Sequence, residues 1–307
     1  VIVPLSGSTP YFIYNPISGG ASQAKRVSRV CEILGNKFPW WETYTPTDAK
    51  YLALQAASEG ASAIVAVGGD GTVHGILNGI MELEPHVRPA LGILPMGSAN
   101  DFAFAAKIPH EPEAALQRIF HGRSSPVDVG SMQNKRGTLV YWLNTVGIGL
   151  NALVAIRARR FHAIKGSAKY VAGTLATLLE GNSMTEVDLT VDHHRFSEKI
   201  TLLTLANGPR EGGAFLMAPA ARIDDGRLDM LMASALSRLS ILRLLPGTRS
   251  GQHLRSRAML LRQFSTLHVT SRDPLPIHTD GEIFATPADR VYEISVRIHP
   301  GAIRVLR

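Results

Sequence analysis

Residues Gly68 to Thr72 read Gly-Gly-Asp-Gly-Thr, between the apolar run Ala63 to Val67 and the amphipathic stretch Val73, Ile76, Leu77 and Ile80. That order predicts a strand, a glycine-rich turn and a helix. Glycine carries no Cβ, so backbone N–H groups in such a turn can close around a phosphate chain at the positive end of the helix that follows. A carboxylate there repels a bare pyrophosphate, so Asp70 makes sense chiefly where a divalent metal or a ribose hydroxyl lies between them. The segment reads as a nucleotide site built for phosphate chemistry. A merely tight loop is the weaker reading, because reversing a chain does not need an Asp among three glycines.

Two other phosphate loops are excluded. No Gly-x-x-x-x-Gly-Lys-Ser/Thr occurs, and the spacing Gly69, Gly71, Gly75 misses the Gly-x-Gly-x-x-Gly dinucleotide fingerprint by one residue. The His-Arg-Asp and Asp-Phe-Gly set of protein kinases is also absent. Hydride transfer is therefore disfavoured.

The elements that must position this turn come from the first half of the chain. Tyr11–Tyr14 is expected as a strand, 22–38 as a helix, Trp40–Tyr44 as a strand, and 47–59 as a helix capped by Thr47 or Asp48. Ala63–Val67 and Leu91–Leu94 are apolar without alternation, as in a parallel sheet covered on both faces. Such βαβα order implies a doubly wound sheet whose ligands gather beyond the carboxyl ends of its strands. Past about residue 129 the period becomes two: Val187, Leu189 and Val191 alternate with Glu186, Asp188 and Thr190, and Asp192-His193 forms a turn. Strands are expected also at Lys199 to Leu205, around Leu267 and Val269, and around Ile294, Val296 and Ile298, with a helix over 166–179. The domains expected are therefore 1–129 and a β-rich 130–291. Periodicity leaves open whether 292–307 returns to the first.

At 307 residues the length suits two domains of about 150 residues each. With 45% hydrophobic and 19% charged residues the composition is that of an ordinary globular protein. No apolar run approaches about 18 residues, so no transmembrane segment is expected. Val1 to Pro10 lacks the basic start and apolar run of a signal peptide, and without an initiator Met it reads as trimmed. The one cysteine, Cys31, falls on the stripe Val27, Val30, Cys31, Leu34 and is expected in the core. A cytoplasmic location fits these features. A net charge of +7 points to polyanionic partners, but no zinc spacing and no aromatic RNA-binding strand occurs, so nucleic acid is not expected. Basic residues gather at 157–169 and 243–262. The second cluster interleaves Arg with Leu from Leu239 to Leu261, as in a helix lying on an anionic membrane.

Asn15-Pro16-Ile17-Ser18-Gly19-Gly20 follows the first strand, and Gly97-Ser98-Ala99-Asn100-Asp101-Phe102 follows the fourth. Further on come Asn144-Thr145-Val146-Gly147-Ile148-Gly149, Gly212-Gly213-Ala214-Phe215-Leu216-Met217-Ala218-Pro219, Asp224-Asp225-Gly226-Arg227-Leu228-Asp229 and Asp280-Gly281-Glu282. Together with Gly68 to Thr72, in this order, they make residues 11–307 resemble the diacylglycerol kinase catalytic family. That family lies in a superfamily with sphingosine kinases and NAD kinases. The resemblance implies an α/β nucleotide-binding domain with a doubly wound, mostly parallel sheet, and a mainly antiparallel β-sandwich that binds lipid. The active site would lie in the cleft between them.

The resemblance also implies roles for residues. Asp70 would lie near the phosphates of ATP and a Mg²⁺ ion. Asn15, Ser18, Gly19, Gly68, Gly69, Gly71, Thr72, Gly97, Ser98, Asn100 and Asp101 would line the nucleotide site, with Ser98 supplying the hydroxyl where Thr is commoner. Asp128 would be a further acid, Asp280 the general base and Glu282 its companion. A structural Mg²⁺ would sit on Asp225 with the backbone carbonyls of Arg222 and Arg227. Asp101 and Asp128 have structural readings too, as a helix cap and a strand end. Lys25 and Arg26 are in reach of phosphates on this reading. The expected reaction moves the γ-phosphate of MgATP to a lipid hydroxyl drawn from a membrane surface, with diacylglycerol to phosphatidic acid the expected conversion. An NAD kinase-like or other small-alcohol kinase is one alternative, although Asn100-Asp101-Phe102-Ala103 stands where NAD kinases usually carry Asn-Glu. A non-catalytic lipid or nucleotide sensor is the other.

Overall fold

The computed structural model describes residues 9–17, 21–161, 164, 166–181 and 184–307. The chain divides into two compact units, Val1–Asp128 with Gly301–Arg307, and Val129–Pro300.

The first unit is a parallel sheet with helices between its strands. In chain order it holds β1 (Pro10–Tyr14), α1 (Ala21–Leu34), β2 (Trp40–Glu42), α2 (Asp48–Ser58), β3 (Ala63–Gly68), α3 (Asp70–Ile80), β4 (Ala90–Pro95), α4 (Asp101–Ala105) and α5 (Pro112–His121). The strands lie side by side as β2, β1, β3, β4, all parallel. Every residue of β3 is buried, which accounts for its unbroken apolar run. The strand Glu293–Leu306 brings Val305 parallel to Leu91 and so completes this sheet.

Local signals explain where elements end. Helix α1 stops at Leu34 rather than at residue 38 because Gly35, at φ +56°, donates its N–H to the Cys31 carbonyl and turns the chain. Its buried face is Gln23, Val27, Val30 and Leu34, while Cys31 is exposed and free. The expected core cysteine lies about 100° around the helix from Val30, on the wet side. At α2 Thr47 makes no side-chain cap. Instead the Asp48 carboxylate accepts from the Thr45 hydroxyl and from the N–H groups of Tyr44 and Thr45, which hold its pKa below the ordinary carboxylate value.

The second unit is antiparallel and sandwich-like. It contains β5 (Ser124–Asn134, entering from the first unit), β6 (Leu139–Trp142), β7 (Thr145–Gly149), α6 (Leu150–Ala158), α7 (Ser167–Glu180), β8 (Thr185–Val191), β9 (His194–Ala206) and β10 (Leu228–Ser234). It continues through α8 (Arg238–Leu244), β11 (Met259–Phe264), β12 (Thr266–Ser271), β13 (Ile277–Thr279), β14 (Glu282–Ala285) and β15, the strand Glu293–Leu306 already met. One path of strands runs β14, β13, β7, β9, β8, β12, β15, with β10 and β11 branching from β9. The two-residue turn at Asp192-His193 forms as its sequence predicts, with Asp192 at φ +52° and its carboxylate accepting from the N–H groups of Ser265 and Thr266. Trp142, fully buried, lies across Gly130, where a Cβ would come within 2.2 Å of the indole.

Leu239 to Leu261 is not one interfacial helix. It folds as α8, two short 3-10 turns and β11, because Pro246, Gly247 and Gly251 interrupt the helical pattern. Leu239, Leu242, Leu260 and Leu261 nevertheless remain exposed. Among the described residues no helix is long and apolar enough to cross a membrane.

Candidate functional site

Two glycine segments of the first unit pack backbone against backbone. The turn after β3 is shorter than its sequence suggests: the strand runs through Gly68, Gly69 is extended, and Asp70 is already the first residue of α3. A Cβ on Gly97 would stand 2.4 Å from the Gly69 Cα, and a Cβ on Gly69 would stand 3.1 Å from the Gly97 Cα. Neither position has room for a side chain without movement. Met96 N–H donates to the Gly68 carbonyl at 2.8 Å, which registers the second segment on the first.

The second segment is closed by its own side chain. Asn100, buried and left-handed at φ +50°, accepts from Gly97 N–H at 2.9 Å and donates to the Gly97 carbonyl at 2.8 Å. Asp101, also buried, opens α4. The Asp70 carboxylate accepts from Phe102 N–H at 3.2 Å, so one acid ties the start of α3 to the start of α4. Gly71 and Ser98 are exposed. Thr72 is buried, and its hydroxyl has no hydrogen-bond partner among the described residues. That hydroxyl also fixes the residue before the turn, because a Cβ on Gly68 would strike it at 2.3 Å.

Asn15 sits beside these segments. Its N–H donates to the Val67 carbonyl, and its side-chain oxygen accepts from Ile17 N–H. Ser18 and Gly19 lie outside the described residues. Arg26 is committed elsewhere, donating to the His110 carbonyl. Asp128 is buried and accepts from Gly301 N–H at 2.7 Å, which anchors the returning strand to β5. The structure thus gives Asp128 a holding bond within the first unit.

In the second unit Asp280 occupies a left-handed position, φ +52°, at the tip between β13 and β14. Its Oδ1 accepts from the N–H groups of Asn144 and Thr145 at 2.9 and 3.0 Å, and its Oδ2 from Leu143 at 3.0 Å. Its own N–H donates to the Thr145 carbonyl. The carboxylate is therefore clamped in one orientation. Glu282 is exposed and pairs with Arg159 at 2.8 Å.

Asp225 accepts from Arg227 N–H at 3.0 Å and from Gln263 at 3.3 Å. The Arg222 side chain reaches Asp224. Burial first, and Asp225 second, push the nearby Asp229 carboxyl above its ordinary value. Acids crowded in this way fit a cation. Among the described residues no three His, Cys, Asp or Glu converge as a ligand group, so such an ion would draw on Asp225 and backbone carbonyls.

A cavity of about 100 Å³ opens elsewhere in the second unit, walled by apolar side chains including Val154, Leu202, Phe215, Met217, Leu231 and Ile241. Glu211 also lines it and accepts from the buried His278 at 2.8 Å. Neither residue stands out in the sequence, because the pair is formed by residues 67 positions apart.

These features define a class before any relative is considered: a parallel α/β unit with a bare glycine junction at the head of a helix, joined to an antiparallel sandwich with an apolar cavity. The solved structure of a diacylglycerol kinase from Bacillus anthracis has the same fold, at a TM-score of 0.70 and 20% identity, covering 97% of this chain and 96% of that one. The family described as "Diacylglycerol kinase catalytic domain" matches residues 9–132, and "YegS C-terminal NAD kinase beta sandwich-like domain" matches residues 144–307. Among curated proteins, the "Diacylglycerol kinase" of Bacillus subtilis is 28% identical over 88% of each chain. A "Probable lipid kinase YegS-like" of Chromohalobacter salexigens is 31% identical over 78% of this chain and 76% of that one. The chain belongs to the diacylglycerol kinase and YegS-like family of lipid kinases.

Proposed function

We propose that this protein is an ATP-dependent lipid kinase that transfers the γ-phosphate of MgATP to a lipid hydroxyl, with diacylglycerol as the acceptor and phosphatidic acid as the product. The observation that carries the proposal is the bare Gly69–Gly97 junction with the Asp70 carboxylate at the head of α3. A floor without side chains suits a phosphate chain, and N–H groups at a helix start suit its charge. The buried Thr72 hydroxyl offers a further donor there. The junction therefore fits a nucleotide.

Bound Mg²⁺ would neutralise charge on the phosphate oxygens, with Asp70 as the acid of this chain best placed to hold it. Asp280 is assigned the acceptor hydroxyl's proton. A carboxylate fixed by three N–H groups loses no orientation during transfer, which favours a positioned base. The apolar cavity of the second unit is assigned to the acyl portion of the lipid. The exposed Leu239, Leu242, Leu260 and Leu261, interspersed with Arg243 and Arg262, would meet the membrane surface. The name of the Bacillus subtilis relative favours diacylglycerol over other lipid alcohols.

Total lipid extract incubated with the protein and γ-labelled ATP, then separated by thin-layer chromatography, tests the reading. Label in phosphatidic acid is expected. Label in NADP from added NAD, with none in any lipid, would overturn it.

A further inference from the structure

Glu211 is one of the few polar residues that line the cavity of the second unit, with Asn151, Tyr170, Thr174, Thr248 and His253, and it carries the one carboxylate among the described lining residues. Glu211 is held there by its backbone, which exchanges two hydrogen bonds with Phe215 across the Gly212-Gly213 turn. Its Oε1 accepts from His278 Nε2 at 2.8 Å. Gly281 N–H lies 3.4 Å from His278 Nδ1, on the ring's other side from Glu211. Both contacts fix the carboxylate without using its second oxygen. Oε2 is buried and has no hydrogen-bond partner among the described residues.

The surroundings make this oxygen unusual. No Lys or Arg lines the cavity among the described residues, and its walls are chiefly Leu, Ile, Val, Met and Phe. A buried carboxylate oxygen in such walls is costly until a donor reaches it. The cavity adjoins the turn that carries Asp280 at Tyr170, which lines it and whose hydroxyl lies 4.0 Å from where a Cβ of Gly281 would stand. An alkyl molecule that enters the cavity with its head group on this side meets Glu211.

We infer that Glu211 is a specificity-determining residue. Its Oε2 accepts a hydrogen bond from a donor, hydroxyl or ammonium, at the head of an alkyl ligand, and His278 holds the carboxylate in place for that contact. The alkyl chain rests on the lipid-kinase reading; the choice of head group rests on the carboxylate.

The test needs no nucleotide. Calorimetric titration of the full chain with decan-1-ol, decylamine and decyl methyl ether compares one alkyl chain with three heads. The alcohol or the amine is expected to bind about 10–100-fold more tightly than the ether, the range of a hydrogen bond to a charged group. The tighter of the two names the donor. In Glu211→Leu all three are expected to bind alike. Should that variant not fold, Glu211→Gln serves instead: it keeps the shape and removes the charge, and any amine advantage must vanish. Equal binding of all three by the unmodified protein, no binding of any, or an advantage that survives Glu211→Leu would overturn the inference. Lipid phosphorylation with no head-group discrimination would remove the role of Glu211 while leaving the kinase reading intact.

Discussion

Replacing Gly97 by Ala adds one methyl group where there is least room for it. The new Cβ would lie 2.4 Å from the Gly69 Cα and 2.9 Å from Asn100 Oδ1. Ordinary contacts between such atoms are about 3.5–4.0 Å, so the two segments must part by about 1 Å or the Asn100 clamp must open. Overpacking of this kind costs about 1–3 kcal/mol. At roughly 2–4 °C per kcal/mol the melting temperature should fall by roughly 2–12 °C. Gly69→Ala is the internal control. Its Cβ meets the Gly97 Cα at 3.1 Å and its φ of −95° suits any residue, so its cost should stay below that of Gly97→Ala. Thermal melts of both variants, followed by ATP titrations, give the readouts, with nucleotide affinity expected to fall further in Gly97→Ala. If Gly97→Ala melts and binds ATP like the unmodified protein, or if Gly69→Ala is the more damaging, the backbone junction does not shape the site.

Asp280→Asn should abolish transfer and also lower the stability of the second unit by about 1–3 kcal/mol, because an amide cannot accept all three N–H bonds from Leu143, Asn144 and Thr145. An unchanged urea midpoint would count against the clamp. His253 gives a pH dependence. Burial holds its imidazole below the ordinary 6.5, opposed in part by the carbonyls of Gly247 and Met217. As pH falls through about 6.5 the unfolded chain takes up that proton before the folded one, so stability declines by up to about 1.4 kcal/mol per pH unit and levels off below the folded value. Urea midpoints of His253→Gln between about pH 8 and 5 should lack that component. Mg²⁺ should raise the melting temperature by neutralising the crowded Asp225 and Asp229, its binding adding about 2.7 kcal/mol of stability at a hundredfold excess over Kd. In Asp225→Asn the gain should disappear.

Parts of this molecule can be read from local pattern and parts cannot. The buried run of β3 and the alternation of β8 announce themselves because each strand's burial follows its own side-chain period. Strand β10 is buried along nearly its whole length, and its Met and Leu residues look equally helical. Likewise Cys31 and Val30 are neighbours in sequence with opposite surroundings, a distinction set by the rotation of α1 against its sheet. At the candidate site the glycine run and Asp70 stand out because they are consecutive in sequence. The reason Gly97 must be glycine does not, since it depends on Gly69. The three-bond clamp on Asp280 and the Glu211–His278 pair join segments 67 to 137 residues apart, and no local spacing encodes them.

The return of residues 301–307 to the first sheet bears on how the protein is made. The Val305 pairing with Leu91 and the Gly301 bond to Asp128 cannot form until the whole of 129–300 has left the ribosome. At roughly 5–20 residues per second, that delay is on the order of ten to thirty seconds. The second unit is continuous in sequence and can close as it emerges. The first stays one strand short until the tail arrives, with the open edge of β4 the surface most in need of a chaperone meanwhile.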